Sequence, residues 1–554
     1  MTDKEVRVRF CPSPTGTPHV GMVRSCLFNY AWAKHCEKFG NDEGIKGGKF
    51  VFRIEDTDHV RDSEDSYQMI LTSLKWLGLN WDEGVEVGGP DGPYRQSERT
   101  QIYRDVAKSL LDKGYAYKCF STKEEIDTRN KAAGRPVQFG YDNFDRNLTD
   151  EQIKEYENEG REFTIRVKMP QDQDITFDDI VRGEVTFKAG TIPDYVIVRS
   201  SKDGNGDPLY TLTNPVDDAL MNVNCILRGE DLLSSTPRQV VLWKYLIDIG
   251  VAKEPVKYGH LPYVMGEGNK KLSKRDPESN LFLHREKGMI PEGLINYLAL
   301  LGWSLSPDDD IFSMDQLVEA FNPKDVLANP ARFDMKKCTA INAEHIRMLD
   351  VEDFKKRLIP YLHGSVSADF VNCDLLREIA ENEPDMPKLQ TYQALVSADK
   401  WDNLTEDEQR IITAAAPLIQ TRVQLLSEAR NLLAPLLSKE EKMNVEEDAK
   451  KQLKSGKNPS GEEIDYHKVI ETAINSLKSL ENWTTDSIHN TLQEALSISP
   501  EGEPDYQNSL NLKPRFAFSP LRVAISGKRI SPPLFECMEI LGKDLTIKRL
   551  ENLD

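Results

Sequence analysis

The chain opens with two strand-like runs, each followed by a segment with helical periodicity. In the first run, residues 6–10, valine or phenylalanine alternates with arginine, which predicts a half-buried strand. A helical pattern over 20–38 follows, then the apolar run 49–54 and apolar residues at helical spacing over 70–77. Such a β-α-β-α alternation predicts an α/β domain built on an open parallel sheet of the doubly wound kind.

This alternation is interrupted between about residues 88 and 208 and then returns. The intervening sequence is polar and rich in turn residues, with short strands predicted at 163–168 and 195–199. Beyond it, the strand-like runs 209–214 and 225–228 resume the α/β pattern. The simplest interpretation is an inserted domain that divides the sheet domain.

From about residue 335 the patterns are helical, without a convincing strand run. The charged stretch 439–465 in this region is predicted to be a mobile connection or an insertion. With 554 residues, 39% of them hydrophobic, the chain can fill several cores. It carries no run of 18 apolar residues and no signal-peptide pattern, so we expect a cytoplasmic protein that does not act at a membrane.

The turn between the first strand and its helix, residues 12–21, is the first candidate for a functional site. A helix start offers unpaired backbone N–H groups that suit a phosphate chain. Gly16 and Gly21 have the spacing of a phosphate-binding P-loop, but Met22 stands where that loop requires lysine, so a P-loop is excluded. His19 and Gly21 could instead admit a nucleotide; taken alone, such a histidine is more often a structural cap.

A second candidate is the basic loop 269–275, which follows the strand-like run 260–264. Its lysines could close over a polyphosphate and neutralise the charge that grows on a departing pyrophosphate. Taken alone, a basic loop is usually a solvated surface.

Together and in this order, the two loops resemble the signature sequences of the class I aminoacyl-tRNA synthetases. Residues 19–22 are similar to the HIGH element of that class, and residues 271–275 to its KMSKS element. Further segments are similar to the bacterial-type glutamyl-tRNA synthetases, namely 9–16, 53–58, 92–99, 214–218, 227–237, 300–303 and 520–542. The resemblance spans nearly the whole chain and is vaguest between about 340 and 510.

The resemblance implies a multidomain protein. Its parts would be a split Rossmann-like α/β catalytic domain (1–90 and 209–275), an inserted α/β acceptor-binding domain (91–208), a stem-contact segment (276–335) and an all-helical anticodon-binding region (336–554). The implied reaction activates L-glutamate with ATP and Mg²⁺ and transfers it to tRNA(Glu). We expect a monomer.

The resemblance also implies a glutamate pocket. Such a pocket needs guanidinium groups for two carboxylates and a carboxylate for one ammonium group. By the family pattern, the carboxylates are held by Arg9, Arg228 and Tyr210, the ammonium group by Glu55, and further polar contacts come from Ser13 and Asn214. Independently of the family, Arg228 stands in an otherwise apolar strand, and a buried guanidinium requires an anion.

For the nucleotide, the resemblance implies two catalytic residues, His19 and Lys274, that act on the phosphates. The implied ATP-binding set is His19, Gly21, Asp231, Lys271 and Lys274.

One departure from the family concerns zinc. Many relatives carry a zinc knuckle in the inserted domain, but this chain has Cys119, then Ser121 at the next ligand position, and no further cysteine before Cys225. Because one thiolate cannot make a four-ligand site, we predict that no zinc is bound and that no residue ligates a metal.

Two other interpretations remain at this stage: a small-molecule nucleotidyltransferase that shares the HIGH motif, and an RNA-binding protein with an inactive catalytic domain. The helical region argues against the first, and intact His19, Lys274, Arg9 and Glu55 argue against the second. Basic residues that are candidates for anticodon recognition are Arg332, Arg515, Arg522, Lys528 and Arg529.

Overall fold

The computed structural model describes residues 5–58, 60–136, 140–266, 268, 270–272, 276–362, 401–501 and 506–553. The described residues form two compact units. The first comprises residues up to 283 and 294–338, and the second comprises 284–293 and residues from 339 onward.

The strands are β1 (Val6–Phe10), β2 (Gly48–Phe52), β3 (Glu83–Gly84), β4 (Ala116–Cys119), β5 (Phe163–Val167), β6 (Ile175–Asp179), β7 (Gly183–Phe187), β8 (Tyr195–Ser201), β9 (Cys225–Gly229), β10 (Lys257–Leu261), β11 (Val264–Met265), β12 (Ala331–Arg332), β13 (Gly456–Lys457) and β14 (Glu463–Ile464).

The helices up to residue 358 are α1 (Val20–Phe39), α2 (Glu64–Trp76), α3 (Thr100–Asp112), α4 (Lys123–Ala132), α5 (Asp150–Asn158), α6 (Tyr210–Leu220), α7 (Thr236–Asp248), α8 (Leu281–Glu286), α9 (Pro291–Ala299), α10 (Met314–Ala320), α11 (Met335–Met348) and α12 (Val351–Leu358). Beyond residue 400 the helices are Glu406–Gln420, Glu428–Leu437, Glu447–Lys450, Tyr466–Lys478, Thr485–Leu496, Pro514–Ser526, Leu534–Leu541 and Lys543–Glu551.

Parallel strands form the centre of the first unit, which confirms the α/β prediction. One sheet has the order β1-β2-β3, and a second has the order β7-β6-β10-β9, with β7 the antiparallel edge. The two sheets adjoin where Asn224, just before β9, donates its backbone N–H to the carbonyl of Arg7 in β1 at 3.1 Å. The carboxyl ends of β1 and β9 therefore open on the same side.

The prediction that β1 is half-buried is wrong, because all five of its residues are buried. Its two arginines are buried as well and have acidic partners. Arg7 pairs with Glu83 at 2.8 Å, and Arg9 pairs with Asp218 at 3.3 Å. A central parallel strand is covered on both faces, so its polar residues need buried partners.

The run 209–214 was predicted as a strand and is instead the start of helix α6. Leu212, Val216 and Ala219 are buried along one stripe of this helix, at helical spacing. An apolar-polar alternation of six residues is too short to separate a strand from a helix. The correction matters because α6 carries residues that pack behind the cleft described below.

The segment 91–208, predicted as an inserted domain, forms two structures. Strands β4, β5 and β8 make an antiparallel sheet of their own. The hairpin of β6 and β7 instead joins the sheet of β9 and β10, where Asp179 is the register partner of Tyr258. This hairpin therefore brings a residue from the interrupting segment into the sheet of β9 and β10.

The second unit is helical, with one short hairpin of β13 and β14 as an exception to the predicted absence of strands. The charged stretch 439–465 contains this hairpin and the helix Glu447–Lys450. Glu446 donates its backbone N–H to Gly527 at 2.9 Å, so the stretch is attached to the helical core rather than being a loose connection. No helix that the structure describes is both long and apolar enough to cross a bilayer.

Candidate active site

A cleft of about 490 Å³ opens at the carboxyl ends of β1, β9 and β10. This edge of a parallel sheet is where open α/β folds bind their ligands. The predicted site residues that line it are Arg9, Ser13, His19, Gly21, Glu55, Tyr210, Arg228, Asp231 and Lys271. Of the other two, Asn214 lies behind Glu55, and Lys274 lies outside the described residues.

The start of α1 forms one wall of the cleft. His19 is the N-cap residue of this helix, and its Nδ1 accepts a hydrogen bond from the backbone N–H of Met22 at 3.2 Å. In the neutral ring the proton is therefore on Nε2, which makes that nitrogen a donor. At Gly21 a Cβ would stand 3.4 Å from the His19 ring, so glycine leaves room beside the imidazole.

The Arg228 guanidinium on β9 is buried, with only 4% of the residue exposed. It donates to neutral acceptors: Nε to His260 at 3.1 Å, one terminal nitrogen to Gln239 at 2.7 Å, and the other to Thr236 at 2.8 Å. None of the ion pairs among the described residues includes Arg228. Arg228 is therefore a buried cation on the cleft wall with no anionic partner among the described residues.

Behind Arg228 lies a histidine that the sequence analysis did not assign to the site. His260 on β10 places Nδ1 2.5 Å from Oδ2 of Asp179, a residue of β6. Burial lowers the pKa of His260 below its ordinary value, although the hydrogen bond to Asp179 acts in the opposite direction. The only signal in the sequence was a histidine in a strand-like run, and such a histidine can have several roles.

Glu55 follows β2 and faces the cleft with 7% of its surface exposed. One of its carboxylate oxygens accepts from Asn214 at 2.5 Å and from Arg53 at 3.3 Å. Burial raises the pKa of Glu55 above its ordinary value, while Arg53 and Asn214 oppose that shift. Asn214 is thus committed to Glu55 and is not part of the cleft wall.

A group of ion pairs supports the cleft from below. Arg53 donates to Asp218 at 2.5 Å and lies 3.8 Å from Asp217, which in turn pairs with Arg99 at 2.7 Å. The sequence analysis missed this group. The available signal was the same as for Arg228, since Arg53 also stands at the end of an apolar strand.

Of the residues predicted to bind ATP, Asp231 lies just after β9 and is exposed. Lys271 is exposed as well, with its ammonium group 4.3 Å from the ring centre of Tyr263. The backbone N–H of Leu272 donates to Val264 at 2.9 Å, which carries the start of the basic loop to the cleft.

Another cavity, of about 1170 Å³, is not lined by the predicted site residues. It lies between the interrupting segment, with Cys119 and Arg166, and Arg238 of α7. Where relatives carry zinc ligands, the Cys119 sulfur accepts from Arg166 at 3.2 Å, and Ser121 donates to Asp145 at 2.9 Å. Among the residues described, no group of three or more His, Cys, Asp or Glu side chains has an arrangement that could hold a metal.

One anticodon candidate has a structural role. Arg522 is buried in part, and its guanidinium donates to Ser531 and Pro532 within its own unit, at 2.5 and 2.9 Å. Lys528 lies 3.4 Å from Glu446, whereas Arg515 and Arg529 are exposed. Arg332, in the first unit, is also exposed.

Comparison with known families gives two matches along the chain. Residues 5–340 match the family described as "tRNA synthetases class I (E and Q), catalytic domain". Residues 386–553 match the family described as "Anticodon binding domain".

Individual relatives agree with these families. A glutamate–tRNA ligase of Bifidobacterium longum is 57% identical over 552 residues, which are 99% of this chain and 97% of that protein. A glutamate–tRNA ligase of an Arthrobacter species is 53% identical over 545 residues, 98% of this chain and 95% of that protein. A crystal structure of a glutamate tRNA ligase from Elizabethkingia meningosepticum, in complex with its amino acid, superposes with a TM-score of 0.74 at 27% identity and covers 99% of both chains.

Proposed function

The chain belongs to the class I tRNA synthetases of the glutamate and glutamine type, and we propose that its cleft activates L-glutamate with ATP before ligating it to tRNA(Glu). The enzyme is a glutamate–tRNA ligase like its relatives over nearly its full length. One observation carries the proposed chemistry: Arg228 and Glu55 line the same cleft. Arg228 is a buried cation without an anionic partner among the described residues.

Arg228 supplies the charge that recognises an acidic amino acid. Its described protein partners are neutral, so a substrate carboxylate is the anion that completes it. Arg9 differs, since Asp218 already accepts from it at 3.3 Å. Because Arg9 and Tyr210 line the cleft beside Arg228, we assign them secondary contacts to the carboxylates, and Ser13 a polar contact from the exposed turn.

Glu55 binds the ammonium group of the substrate. Its carboxylate is held in place by Asn214 and Arg53, so binding does not have to order it. Glutamate bound between Arg228 and Glu55 would have a carboxylate facing the guanidinium and its ammonium group facing the Glu55 carboxylate. A neutral amino acid would leave the Arg228 guanidinium buried without an anion, which is costly.

ATP occupies the side of the cleft formed by the start of α1 and the basic loop. Its phosphates would contact His19, Lys271 and Lys274, its adenosine would lie beside Asp231, and Gly21 leaves space for the nucleotide. Mg²⁺ would arrive with ATP, where it neutralises phosphate charge.

The first step forms a bond between a carboxylate oxygen of glutamate and the α-phosphorus, and breaks the bond from that phosphorus to the bridging oxygen. Pyrophosphate leaves with the electron pair, and glutamyl-adenylate remains. A ribose hydroxyl of the terminal adenosine of tRNA then attacks the glutamyl carbonyl, and AMP leaves. Alignment and charge stabilisation carry both steps, so no protein nucleophile is needed.

The rest of the chain serves tRNA. We assign the acceptor end to the segment 91–208, the stem to 276–335, and the anticodon to the helical region from 336 onward, working as a monomer. The match of residues 386–553 to an anticodon-binding family supports the last assignment.

The experiment that tests this function is glutamate-dependent exchange of labelled pyrophosphate into ATP, run with and without tRNA(Glu). We expect exchange with glutamate in at least one of these conditions, and none with glutamine or aspartate. Equal exchange with another amino acid, or no exchange in either condition, would overturn the proposal. Lys274→Ala is expected to lower the exchange rate more than it weakens ATP binding, because charge separation is greatest in the transition state.

A further inference from the structure

The orientation of the Arg228 guanidinium is fixed by protein groups that do not touch the cleft. A guanidinium has five N–H donors. Three of them are used by His260, Gln239 and Thr236, and within the described part of the chain two remain, one on each terminal nitrogen. The partners therefore decide which edge of Arg228 is presented to a ligand.

His260 can accept from Arg228 in one tautomer only. The Arg228 Nε–H points at Nε2 of His260 over 3.1 Å, so Nε2 must be free of a proton. The ring proton is then on Nδ1, which faces Oδ2 of Asp179 at 2.5 Å. A carboxylate oxygen can only accept, so Asp179 selects the tautomer that Arg228 requires.

The second oxygen of Asp179 is fixed as well. Its Oδ1 accepts three backbone N–H groups, from Val181 and Arg182 at 3.0 Å each and from His260 at 3.2 Å. Burial alone would raise the pKa of Asp179, but His260 and these backbone donors lower it below its ordinary value. The carboxylate is thus ionised and cannot rotate without losing these bonds.

We propose that Asp179 and His260 are positioning residues that set the tautomer and orientation through which Arg228 binds the glutamate carboxylate. The assignment deepens the proposed function and rests on it. It gives the hairpin of β6 and β7 a part in amino-acid recognition, because Asp179 ends β6 and His260 lies on the neighbouring β10.

Protonation of His260 would break this arrangement. The charged and titratable groups that face the ring are Asp179 on β6, Arg182 in the turn after it, Arg228 on β9 and Tyr258 on β10, with Thr236 of α7 as a neutral contact. A proton on Nε2 would place a donor and a second positive charge against Arg228. Glutamate binding should therefore weaken as the pH falls below the ordinary range of histidine, and ATP binding should not follow.

The sharpest variant is Asp179→Asn. Because the position of Oδ1 must accept three backbone N–H groups, the asparagine oxygen takes that place and its NH₂ group faces His260. The NH₂ donor selects the other tautomer, with the proton on Nε2, and Arg228 loses its acceptor. We expect the KM for glutamate to rise about tenfold or more, with the KM for ATP unchanged.

Asp178→Asn is the matched control. Asp178 is the neighbouring residue of the same strand and is exposed. Its substitution removes the same charge at almost the same position in the chain, but Asp178 does not contact His260. This variant should keep the KM for glutamate of the unaltered enzyme. Equal values of that KM in the two variants, or equal rises in the KM for glutamate and for ATP, would overturn the proposal.

A second pair tests the same contact if Asp179→Asn does not fold. In His260→Gln an amide oxygen can accept from Arg228, whereas His260→Leu offers no acceptor. We expect the glutamine variant to keep a KM for glutamate within a fewfold of the original and to lose its acid-side pH dependence, and the leucine variant to show the full rise. Equal behaviour of the two variants would contradict the proposed contact.

Nitrogen-15 NMR of histidine-labelled enzyme gives a readout that does not depend on activity. The resonance lost in His260→Gln should report the Nδ1–H tautomer in the unaltered enzyme, and an Nε2–H tautomer there would refute the inference. Failure of the proposed function is distinguishable, since it would appear as absent glutamate-dependent exchange in the unaltered enzyme.

Discussion

Arg53 donates a hydrogen bond to Asp218 at 2.5 Å, and neither side chain is exposed to solvent. Asp218 also accepts from Arg9 at 3.3 Å, so one carboxylate of α6 joins arginines from β1 and from the end of β2. Burial alone would raise the pKa of Asp218, but Arg53 and Arg9 together lower it below its ordinary value. This contact holds the floor of the cleft together.

Asp218→Asn is therefore expected to destabilise the first unit. Removing one partner of a buried ion pair leaves an uncompensated charge, at a cost of about 3–5 kcal/mol. Urea unfolding followed by circular dichroism measures this loss. Asp315→Asn is the control, because its pair with Lys38 is exposed and is worth at most about 1 kcal/mol. Similar losses in the two variants would contradict the role of Asp218.

Glu55→Gln should separate binding from stability. The folded-state pKa of Glu55 is raised, so its stabilising contribution is complete below the unfolded value and is lost as the pH rises through the folded value. Above the folded-state pKa, the ionised carboxylate is a cost to folding that glutamine removes. We expect a free energy of unfolding equal to or above that of the original enzyme, together with a large rise in the KM for glutamate. A variant that binds glutamate normally would refute the role of Glu55.

Arg228→Lys should impair glutamate recognition although it keeps the charge. Lysine has no planar fork and cannot donate to His260, Gln239 and Thr236 while facing the substrate. Loss of a charge-assisted hydrogen bond predicts a fall in kcat/KM for glutamate of about 10- to 100-fold. Steady-state exchange kinetics measure it, with the KM for ATP as the internal reference, which should not change.

Gly21→Ala should weaken ATP binding without weakening the fold. Gly21 is the second residue of α1, where alanine is favoured over glycine by less than the roughly 1 kcal/mol of a helix interior. The added Cβ would lie 3.4 Å from the His19 ring, an ordinary contact, but under the proposed function it would take up space that ATP needs. We expect a higher KM for ATP and an unchanged or higher Tm; a lower Tm would mean that Gly21 serves the fold instead.

The resemblance to the family, carried by the two loops and the further matching segments, named most of the residues that line the cleft. Arg9, His19, Glu55 and Arg228 come from four separate segments and meet there. What could not be predicted are the groups behind them. His260, Asp179 and Asp218 act through contacts between strands and helices distant in the chain, and no local pattern encodes such a pairing.

Two features of the fold were not predictable for related reasons. The run 209–214 was too short for its periodicity to separate a strand from a helix. In the structure this run begins α6, whose apolar residues are buried along one stripe. The hairpin of β6 and β7 was assigned to the inserted domain by its place in the chain, but its pairing with β10 is a tertiary contact. The position of Lys274 in the basic loop stays a prediction.

A crystal structure with a non-hydrolysable analogue of glutamyl-adenylate tests the central claim most directly. The account predicts that the side-chain carboxylate of the analogue lies within hydrogen-bond distance of Arg228, its ammonium group beside Glu55, and its adenosine along the start of α1 near His19. An analogue bound outside this cleft, or one whose carboxylate avoids Arg228, would contradict the account.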